Sequence, residues 1–511
     1  MYRESVFRNL LDPAKDALIR AAASTPPFSG SPKGCTLKIR FVTVQIVVSV
    51  TIALILMKGT SNYAEFLLPQ IPTSQTPGTD KPAQVDALMA RWSQGKTPGA
   101  AVIVIQDGRV LYEKGYGLAD LQTKKPISPA TLFDIASVSK QFTAMAVMIL
   151  FEQGKLNYSD TLSKFFPEFP PYAQQVTIRH LLNQTSGILD YTLQWGESKK
   201  LKGNTPRTSE NVVRFLARQQ QLEFNPGQRW EYSNSNYVLL ASIVSKVAGE
   251  SFPQFVKKNI FQPLGMNDSF VYDATPSKSA AQATGYVSQG SGFMPAERNR
   301  ENYVYGDGQV NSTIEDMYKW DLALYTDKLV KASTLAAAFT SGALNDGTPI
   351  SYGFGWGLGK YRGLRFVAHG GDTDGFVAQI TRFPEQHFTV VLLSNFEQFP
   401  PAFAISNKIA GIYLANKLTL PVSVNPTSHL LSNYAGKYSL YDLVLKVTLE
   451  DGALWLIAPN QKKLKLTPTS QDEFIIEESR GESSVGFNRN HQGAITSLSL
   501  LDQNGMMLSR K

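Results

Sequence analysis

Residues 134–156, DIASVSKQFTAMAVMILFEQGKL, place a serine and a lysine three residues apart at the start of an otherwise apolar helix. Apolar residues recur at helical spacing, so we expect this helix to be buried on at least one side. Ser137 and Lys140 share a face, because residues i and i+3 are neighbours on a helix. One interpretation is a capping serine beside a surface lysine. The other is a nucleophile with its base, since free N–H groups at a helix start favour negative charge and a desolvated lysine can be neutral.

A second polar pair strengthens the catalytic interpretation. In 226-PGQRWEYSNSNYVLLASIVSKVAG-249, Tyr232 and Asn234 lie in a loop directly before a strongly periodic helix. Both side chains can face a cleft from there. The phenol can relay protons, and the amide can orient a substrate carbonyl or the lysine. The alternative is a plain turn that caps the helix.

A third stretch, 366-FVAHGGDTDGF-376, runs from a strand into a glycine pair. Gly370 and Gly371 would let a substrate backbone lie against the strand. His369 could donate to a substrate carboxylate or to Tyr232. The alternative is a glycine turn between two strands.

The surrounding pattern predicts an α+β domain over residues 83–417. A helix over 84–95 precedes a β-hairpin over 99–120 with a Gln-Asp-Gly turn. Signals from 160 to 340 are mainly helical. From 352 they return to strands (YGFGWGL, RFVAHGG, FVAQITRFP, FTVVLLSN), and a helix over 402–417 closes the domain. This order describes an antiparallel sheet flanked by helices, with a mainly helical subdomain.

Residues 430–511 predict a separate, small all-β domain. A hairpin surrounds Asp451-Gly452, and residues 483–505 offer two more strands. The pattern fits a β-barrel or a sandwich and leaves the choice between them open. Residues 420–429, LPVSVNPTSH, read as the linker that precedes it.

The N-terminal part of the chain predicts a membrane attachment. Residues 41–57, FVTVQIVVSVTIALILM, are 17 uncharged residues, at the short end of the ~17–25 that span a bilayer. Basic residues cluster before them, which orients the N-terminus to the cytoplasm. The long leader favours an uncleaved transmembrane anchor over a signal segment. We therefore predict a disordered cytoplasmic leader (1–40), an anchor in the inner or cytoplasmic membrane (41–57), a linker (58–82) and exported domains on the periplasmic or extracellular side.

Composition narrows the classes of partner. Of the net charge of +8, half lies in residues 1–40, where seven basic residues outnumber three acidic ones. The rest is too dilute for nucleic-acid binding, so we expect no nucleic-acid partner. The single cysteine, Cys35, excludes an internal disulfide framework. The five scattered histidines form no H-E-x-x-H pair, and we expect neither a metal nor another cofactor.

The three motifs in this order, Ser-x-x-Lys, Tyr-x-Asn and His-x-Gly, resemble the class C β-lactamase-type serine hydrolases. That group includes penicillin-binding proteins, DD-peptidases, D-aminopeptidases and related esterases. The resemblance covers roughly residues 83–417. Four connecting phrases also match, namely LLNQTSGI (181–188), NPGQRWEYSN (225–234), PLGMNDS (263–269) and YGFGWGL (352–358).

The resemblance implies roles for the first two motifs. Ser137 would attack the substrate carbonyl and form an acyl-enzyme. Lys140 and Tyr232 would share the general-base and proton-return steps. Asn234 would position the substrate amide.

The resemblance also assigns the third motif to His369, Gly370 and Gly371. It places the oxyanion hole at the backbone N–H groups of Ser137 and Asp372. True class C β-lactamases carry Lys-Thr-Gly where this chain has His-Gly-Gly. The histidine form resembles the esterase and peptidase relatives. A DD-peptidase, D-aminopeptidase or esterase is therefore favoured over an efficient β-lactamase.

Two further comparisons with the pattern concern structure. Gln184 stands where many relatives have histidine, which we interpret as a structural difference. The C-terminal β-domain resembles the accessory barrel of some of these hydrolases.

Three functions remain open from the sequence. The first is an active hydrolase of peptides, amides or esters. The second is a penicillin-binding sensor or cell-wall-peptide binding protein with little turnover, and the third is a structural protein with a dead site.

Overall fold

The computed structural model describes residues 80–93, 95–193, 207–273, 281–297, 302–418, 431–440, 443–459, 462–469, 471–478, 481–500 and 506–510. The predicted leader (1–40), the membrane segment (41–57), nearly all of the linker 58–82 and the linker 420–429 lie outside these ranges. Among the residues that are described, no helix has both the length and the apolar character that crossing a membrane requires.

The strands of the larger domain lie between residues 100 and 394. They are β1 (Ala100–Gln106), β2 (Arg109–Tyr116), β3 (Leu118–Asp120), β4 (Lys125–Pro126), β5 (Phe133–Asp134), β6 (Arg207–Thr208), β7 (Phe270–Val271), β8 (Tyr286–Gln289), β9 (Gly292–Pro295), β10 (Asn302–Tyr303), β11 (Val310–Ser312), β12 (Gly357–Tyr361), β13 (Leu364–Thr373), β14 (Phe376–Phe383) and β15 (Phe388–Ser394).

Helices of this domain lie before, between and after these strands. They are α1 (Lys81–Met89), α2 (Lys140–Glu152), α3 (Leu162–Phe165), α4 (Ile178–Leu182), α5 (Ser209–Leu216), α6 (Asn234–Ala248), α7 (Phe252–Val256), α8 (Gln262–Leu264), α9 (Ile314–Ala323), α10 (Ala332–Ala336) and α11 (Ala402–Tyr413). Short 3₁₀ turns lie at Ala90–Trp92, Ala136–Ser139, Pro171–Gln174, Ala337–Phe339 and Pro384–Gln386, and a π-helical turn lies at Lys257–Phe261.

The long strands form one six-stranded antiparallel sheet in the order β12-β13-β14-β15-β1-β2. The predicted hairpin is therefore one edge of this sheet. Its turn residues Asp107 and Gly108 have φ of 50° and 72°, the positive values that a tight hairpin turn of two residues needs. The α+β fold class is confirmed.

Helices cover both faces of the sheet. On β1, Ala101, Ile103 and Ile105 join the core that contains α2, α6 and α9. The alternate residues Ala100, Val102 and Val104 join the core that contains α1 and α11. Because both faces of β1 are buried, its sequence is a continuous apolar run. Burial of each Val or Ile side chain contributes about 1.5–3 kcal/mol to the free energy of folding.

One predicted strand is wrong over most of its length. The phrase YGFGWGL, residues 352–358, was expected to be extended, but β12 begins only at Gly357. Gly355 has a φ of 77°, and a Cβ there would lie 2.8 Å from the backbone oxygen of Lys140. The segment is therefore a loop whose glycine allows close approach to the start of α2.

The C-terminal domain is a closed eight-stranded barrel, which decides between the two predicted β architectures. Its strands are β16 (Gly436–Leu440), β17 (Leu443–Glu450), β18 (Ala453–Ile457), β19 (Leu464–Pro468), β20 (Glu473–Glu478), β21 (Gly481–Arg489), β22 (Ile495–Leu500) and β23 (Met506–Arg510). Pairing of β16 with β23 closes the barrel, which removes exposed strand edges. Side chains including Tyr438, Val447, Phe474 and Leu508 fill its interior.

Candidate active site

The nucleophile candidate lies on a tight turn between β5 and α2. The side-chain oxygen Oδ1 of Asp134 accepts a hydrogen bond from the backbone N–H of Ala136 at 2.8 Å. Ala136 has a φ of 45°, a left-handed conformation that costs a residue with a side chain about 1–3 kcal/mol. Ser137 follows in the 3₁₀ turn and is half-buried, while Lys140 begins the α-helix itself. The strained turn thus fixes the serine one turn ahead of the lysine.

Lys140 is fully buried, and its amino group has three oxygen neighbours. Nζ donates to Oγ of Ser137 at 3.0 Å, to Oδ1 of Asn234 at 2.8 Å and to the backbone oxygen of Asp307 at 2.7 Å. Burial lowers the pKa of Lys140 to about 8, although the Asp307 and Asp190 carboxylates oppose this. Of the three partners, Ser137 alone carries a proton that it can give. A neutral Lys140 therefore directs its lone pair at Ser137 Oγ.

Tyr232 lies over the same lysine. Nζ of Lys140 is 4.9 Å from the centre of the Tyr232 ring, within the range of a cation–π contact. Burial raises the pKa of Tyr232 well above its ordinary value, and a hydrogen bond with Ser137 acts in the opposite direction. The phenol therefore keeps its proton at neutral pH and can serve as a proton donor.

Asn234 is the first residue of α6, and a buried carboxylate sets its orientation. Nδ2 of Asn234 donates to Oδ2 of Asp190 at 3.0 Å, so Oδ1 faces Lys140. The other oxygen of Asp190 accepts from the backbone and the hydroxyl of Thr192, at 3.0 and 2.9 Å. Burial raises the pKa of Asp190, against these hydrogen bonds.

Strand β13 brings the glycines of the third motif against the nucleophile turn. A Cβ placed on Gly371 would lie 2.4 Å from the backbone oxygen of Ile135 and 3.0 Å from the backbone nitrogen of Ser137. Only a glycine fits so close an approach without moving the turn. Gly370 precedes it and pairs with Gln379, and Asp372 follows it, all on the same strand.

His369 lies behind this contact and is fully buried. Its Nδ1 is 2.7 Å from the backbone oxygen of Gly370, and its Nε2 is 3.1 Å from the hydroxyl of Tyr352. Burial lowers the pKa of His369 to about 3, and the charge of Lys140 adds to this. The ring is neutral at pH 7, with Nδ1–H donating to the carbonyl and Nε2 accepting. We expected His369 to donate to Tyr232 or to a substrate carboxylate. Its ring nitrogens instead contact the Gly370 carbonyl and the Tyr352 hydroxyl.

Comparison with known proteins identifies the family of the larger domain. Residues 83–414 match the Beta-lactamase family. The chain belongs to the beta-lactamase family. It is 34% identical over 401 residues to Penicillin-binding protein 4* of Bacillus subtilis (strain 168), over 73% of this chain and 87% of that protein. The resemblance inferred from the motifs is confirmed, and the chain is a serine hydrolase of this family.

Two solved structures share the fold of this beta-lactamase family member. The octameric penicillin-binding protein homologue from Pyrococcus abyssi superposes with a TM-score of 0.58 at 24% identity, over 84% of this chain and 99% of that one. The penicillin-binding protein from Bacillus halodurans superposes with a TM-score of 0.54 at 26% identity, over 66% and 99%. The first of these likenesses is one of fold alone.

Gln184, which departs from the family pattern, braces the loop that carries Tyr232. The side chain is fully buried, and its Oε1 accepts from the backbone N–H of Ser233 at 3.1 Å and from Nδ2 of Asn236 at 2.6 Å. Its backbone oxygen accepts from the N–H of Glu231 at 2.9 Å. The glutamine therefore holds the chain on both sides of Tyr232, which gives the predicted structural difference a physical role.

Sequence reasoning missed two carboxylates and a tyrosine of this beta-lactamase family site. Besides Asp190, the structure adds Asp307, whose Oδ2 accepts from the hydroxyl of Tyr191 at 2.8 Å. Burial raises the pKa of Asp307 to about 6, while Lys140 lowers it. The signals available were the position of Asp190-Tyr191 just after LLNQTSGI and the two glycines that flank Asp307.

Proposed function

We propose that this protein is a membrane-anchored, exported hydrolase that cleaves a peptide, amide or ester through an acyl-enzyme on Ser137. The observation that carries the proposal is the 3.0 Å contact between Ser137 Oγ and a buried Lys140 whose pKa is lowered to about 8. A lysine so placed is a general base near neutral pH, which an exposed lysine is not.

Acylation begins when Lys140 takes the proton of Ser137 Oγ and that oxygen bonds to the substrate carbonyl carbon. The carbonyl electron pair moves onto its oxygen, which the backbone N–H groups of Ser137 and Asp372 receive. Each such donor can contribute about 10²–10³ in rate. Asn234 holds the lysine and faces the substrate amide.

Collapse of this intermediate breaks the bond to the leaving group. The leaving nitrogen or oxygen takes a proton from Tyr232, and the Lys140 ammonium returns its extra proton to the tyrosine. Water then attacks the acyl carbon and gives one proton to Lys140. The carbon–Oγ bond breaks, and Ser137 regains its proton, which restores the starting state.

The third motif supports a choice of substrate class. His369 is neutral because burial lowers its pKa to about 3, so it supplies no cation for a substrate carboxylate. The resemblance of this motif to the esterase and peptidase relatives favours a DD-peptidase, D-aminopeptidase or esterase over efficient penicillin hydrolysis. Within that group, the missing cation favours substrates that lack a carboxylate beside the scissile bond, as D-aminopeptidase and esterase substrates can. The similarity to Penicillin-binding protein 4* supports binding of penicillin at Ser137.

The test uses the full chain in detergent with p-nitrophenyl butyrate, nitrocefin and a D-Ala-D-Ala peptide. We expect ester or peptide turnover that Ser137→Ala abolishes. The matched control is Ser159→Ala, which changes an exposed serine of the same domain and should keep wild-type turnover. Turnover that survives Ser137→Ala would refute the assignment of the nucleophile.

A penicillin-binding sensor is the second candidate, and the basic leader followed by the apolar segment 41–57 favours it. The two functions differ in deacylation. With an ester or peptide substrate, an enzyme releases the acyl group and recovers free Ser137, whereas a sensor retains the acyl group. A persistent acyl group together with no turnover of any substrate would favour the sensor.

The membrane location is proposed from the uncharged segment 41–57 and the basic residues before it. We expect the full chain to remain with membranes after an alkaline carbonate wash, and a chain starting at residue 59 to be released. Protease added outside intact spheroplasts should digest the domains after residue 59. Resistance of these domains in intact spheroplasts, together with their digestion after lysis, would refute export.

A further inference from the structure

The outer surface of the C-terminal barrel is covered where β22 and β23 run side by side. On β23, Leu508 points into the barrel core, so the neighbouring Met507 points outward. An outward side chain of a free barrel would be exposed, yet Met507 is only 4% exposed. Ser499, its partner across the strand pair, is fully buried. Another part of the protein therefore covers this face.

The covering part is the loop of residues 341–352 in the larger domain. Ser351 Oγ donates to Ser499 Oγ at 3.2 Å, and the hydroxyls of Thr348 and Thr496 are 3.4 Å apart. Gly347 of the same loop lies against a barrel histidine, since a Cβ on Gly347 would be 1.5 Å from Nε2 of His491. These contacts seat the barrel on the loop.

Met507 extends this contact into the site. It forms one apolar cluster with Trp230, Ile350 and Tyr352, and the ring of Tyr232 packs against that cluster. Trp230 lies two residues before Tyr232 in the chain, and Tyr352 holds His369 through its hydroxyl. A barrel residue thus supports the wall behind the catalytic tyrosine.

Hydrogen bonds tie the same loop to the segment that carries Tyr232. The backbone N–H of Asn345 donates to the oxygen of Gly227 at 2.9 Å, and its Nδ2 donates to the oxygen of Pro226 at 2.9 Å. The barrel, the loop and the segment 226–232 therefore form one continuous packed body.

We propose that Met507 is a positioning residue for the catalytic reaction, and that the barrel acts as the support that fixes Tyr232. This inference rests on the proposed acyl-serine mechanism. Truncation of Met507 would leave a cavity beside Trp230 and Tyr352. The surrounding side chains relax only partly into such cavities, and Tyr232 would lose its fixed position over Lys140. A displacement of about 1 Å at a reacting group can cost on the order of 10²-fold in rate.

The test compares Met507→Ala, Met507→Leu and Ile457→Ala in the full chain. Ile457 is a matched control, because it is a half-buried residue of the barrel surface in an open cavity lined by barrel residues alone. We expect Met507→Ala to lower kcat about 10-fold or more with KM within about 3-fold. Met507→Leu, which conserves volume, should restore kcat, and Ile457→Ala should match the wild type.

The rate at which a fluorescent penicillin labels Ser137 is the second measurement. It requires Tyr232 whether or not the acyl group leaves, so it tests Met507 even if the protein turns over nothing. Wild-type kcat and labelling rate in a folded Met507→Ala variant would overturn the inference and leave the hydrolase proposal standing. If Met507→Ala does not fold, Met507→Val decides in the same way. A wild type that neither is labelled nor turns over any ester or peptide, or labelling that persists in Ser137→Ala, would instead refute the hydrolase, and the inference with it.

Discussion

The side chain of Asn234 bridges Lys140 and Asp190. Its Oδ1 accepts from Lys140 Nζ at 2.8 Å, and its Nδ2 donates to Asp190 Oδ2 at 3.0 Å. An ionised carboxylate can only accept, so it fixes which end of the amide faces the lysine. The base is therefore held by a carboxylate that does not touch it, and Asp190 is a positioning residue.

Asp190→Ala should reduce kcat by up to about 10²-fold, because a displacement of about 1 Å at a reacting group can cost that much in rate. The carboxylate also raises the pKa of Lys140, so its removal should move the acid limb of the pH profile to lower pH. Asp190→Asn keeps the size and removes the charge and the acceptor-only character, so it separates both from the loss of volume in alanine. A limb that moves to higher pH in both variants would contradict this account. The measurement is kcat and kcat/KM from pH 5 to 10.

The pH dependence of the wild type follows from Lys140 as the base. Its pKa is lowered to about 8, and only the neutral amine can take the proton of Ser137. We expect kcat/KM to rise with pH and level off above about 8, because that ratio reports groups of the free enzyme.

The control for this profile is Lys140→Arg. A guanidinium stays protonated at every pH used, so the variant should lose on the order of 10²–10⁴ in rate throughout. A rate that is flat between pH 6 and 9 in the wild type would contradict the role of Lys140 as the base.

Gly371 lies so close to the nucleophile turn that a larger side chain there should displace Ser137. In Gly371→Ala, the new methyl would meet backbone atoms of Ile135 and Ser137, which cannot rotate away. We expect kcat/KM to fall about 10²-fold as the nucleophile moves. Gly292→Ala is the matched control, because that strand glycine has only the oxygen of Gln289, at 3.7 Å, near the new atom. Equal activity of the two variants would contradict the close packing.

The motifs predict the reacting groups because each one is local. Ser137 and Lys140 are three residues apart, so their shared face follows from helix geometry. Tyr232 and Asn234 are two residues apart on either side of the extended residue Ser233, and alternate side chains of an extended segment point the same way. The strands of the sheet are predictable in the same way, because the apolar runs and the Asp107-Gly108 turn are local features of the sequence.

The remaining parts of the site depend on the tertiary fold. Asp307 meets Lys140 across 167 residues of chain, and no local pattern links them. Met507 reads as an ordinary strand residue, and its role depends on which face of the barrel is covered. The loop at 352–356 resembles a strand in sequence because its aromatic residues are buried by packing and not by strand pairing.

The buried neutral state of His369 predicts how stability depends on pH. Its folded-state pKa of about 3 lies below the ordinary value of 6.5, so the unfolded chain binds the proton first as pH falls. The stabilisation is fully present above pH 6.5 and is lost as pH falls toward 3. At pH 4.5 the loss amounts to about 2–3 kcal/mol, at 1.36 kcal/mol per pH unit.

His369→Gln keeps an amide near Tyr352 but does not titrate. Urea unfolding of both proteins at pH 7.5 and 4.5 should show the larger fall in the wild type. Equal falls would mean that His369 gains its proton in the folded protein as readily as in the unfolded chain.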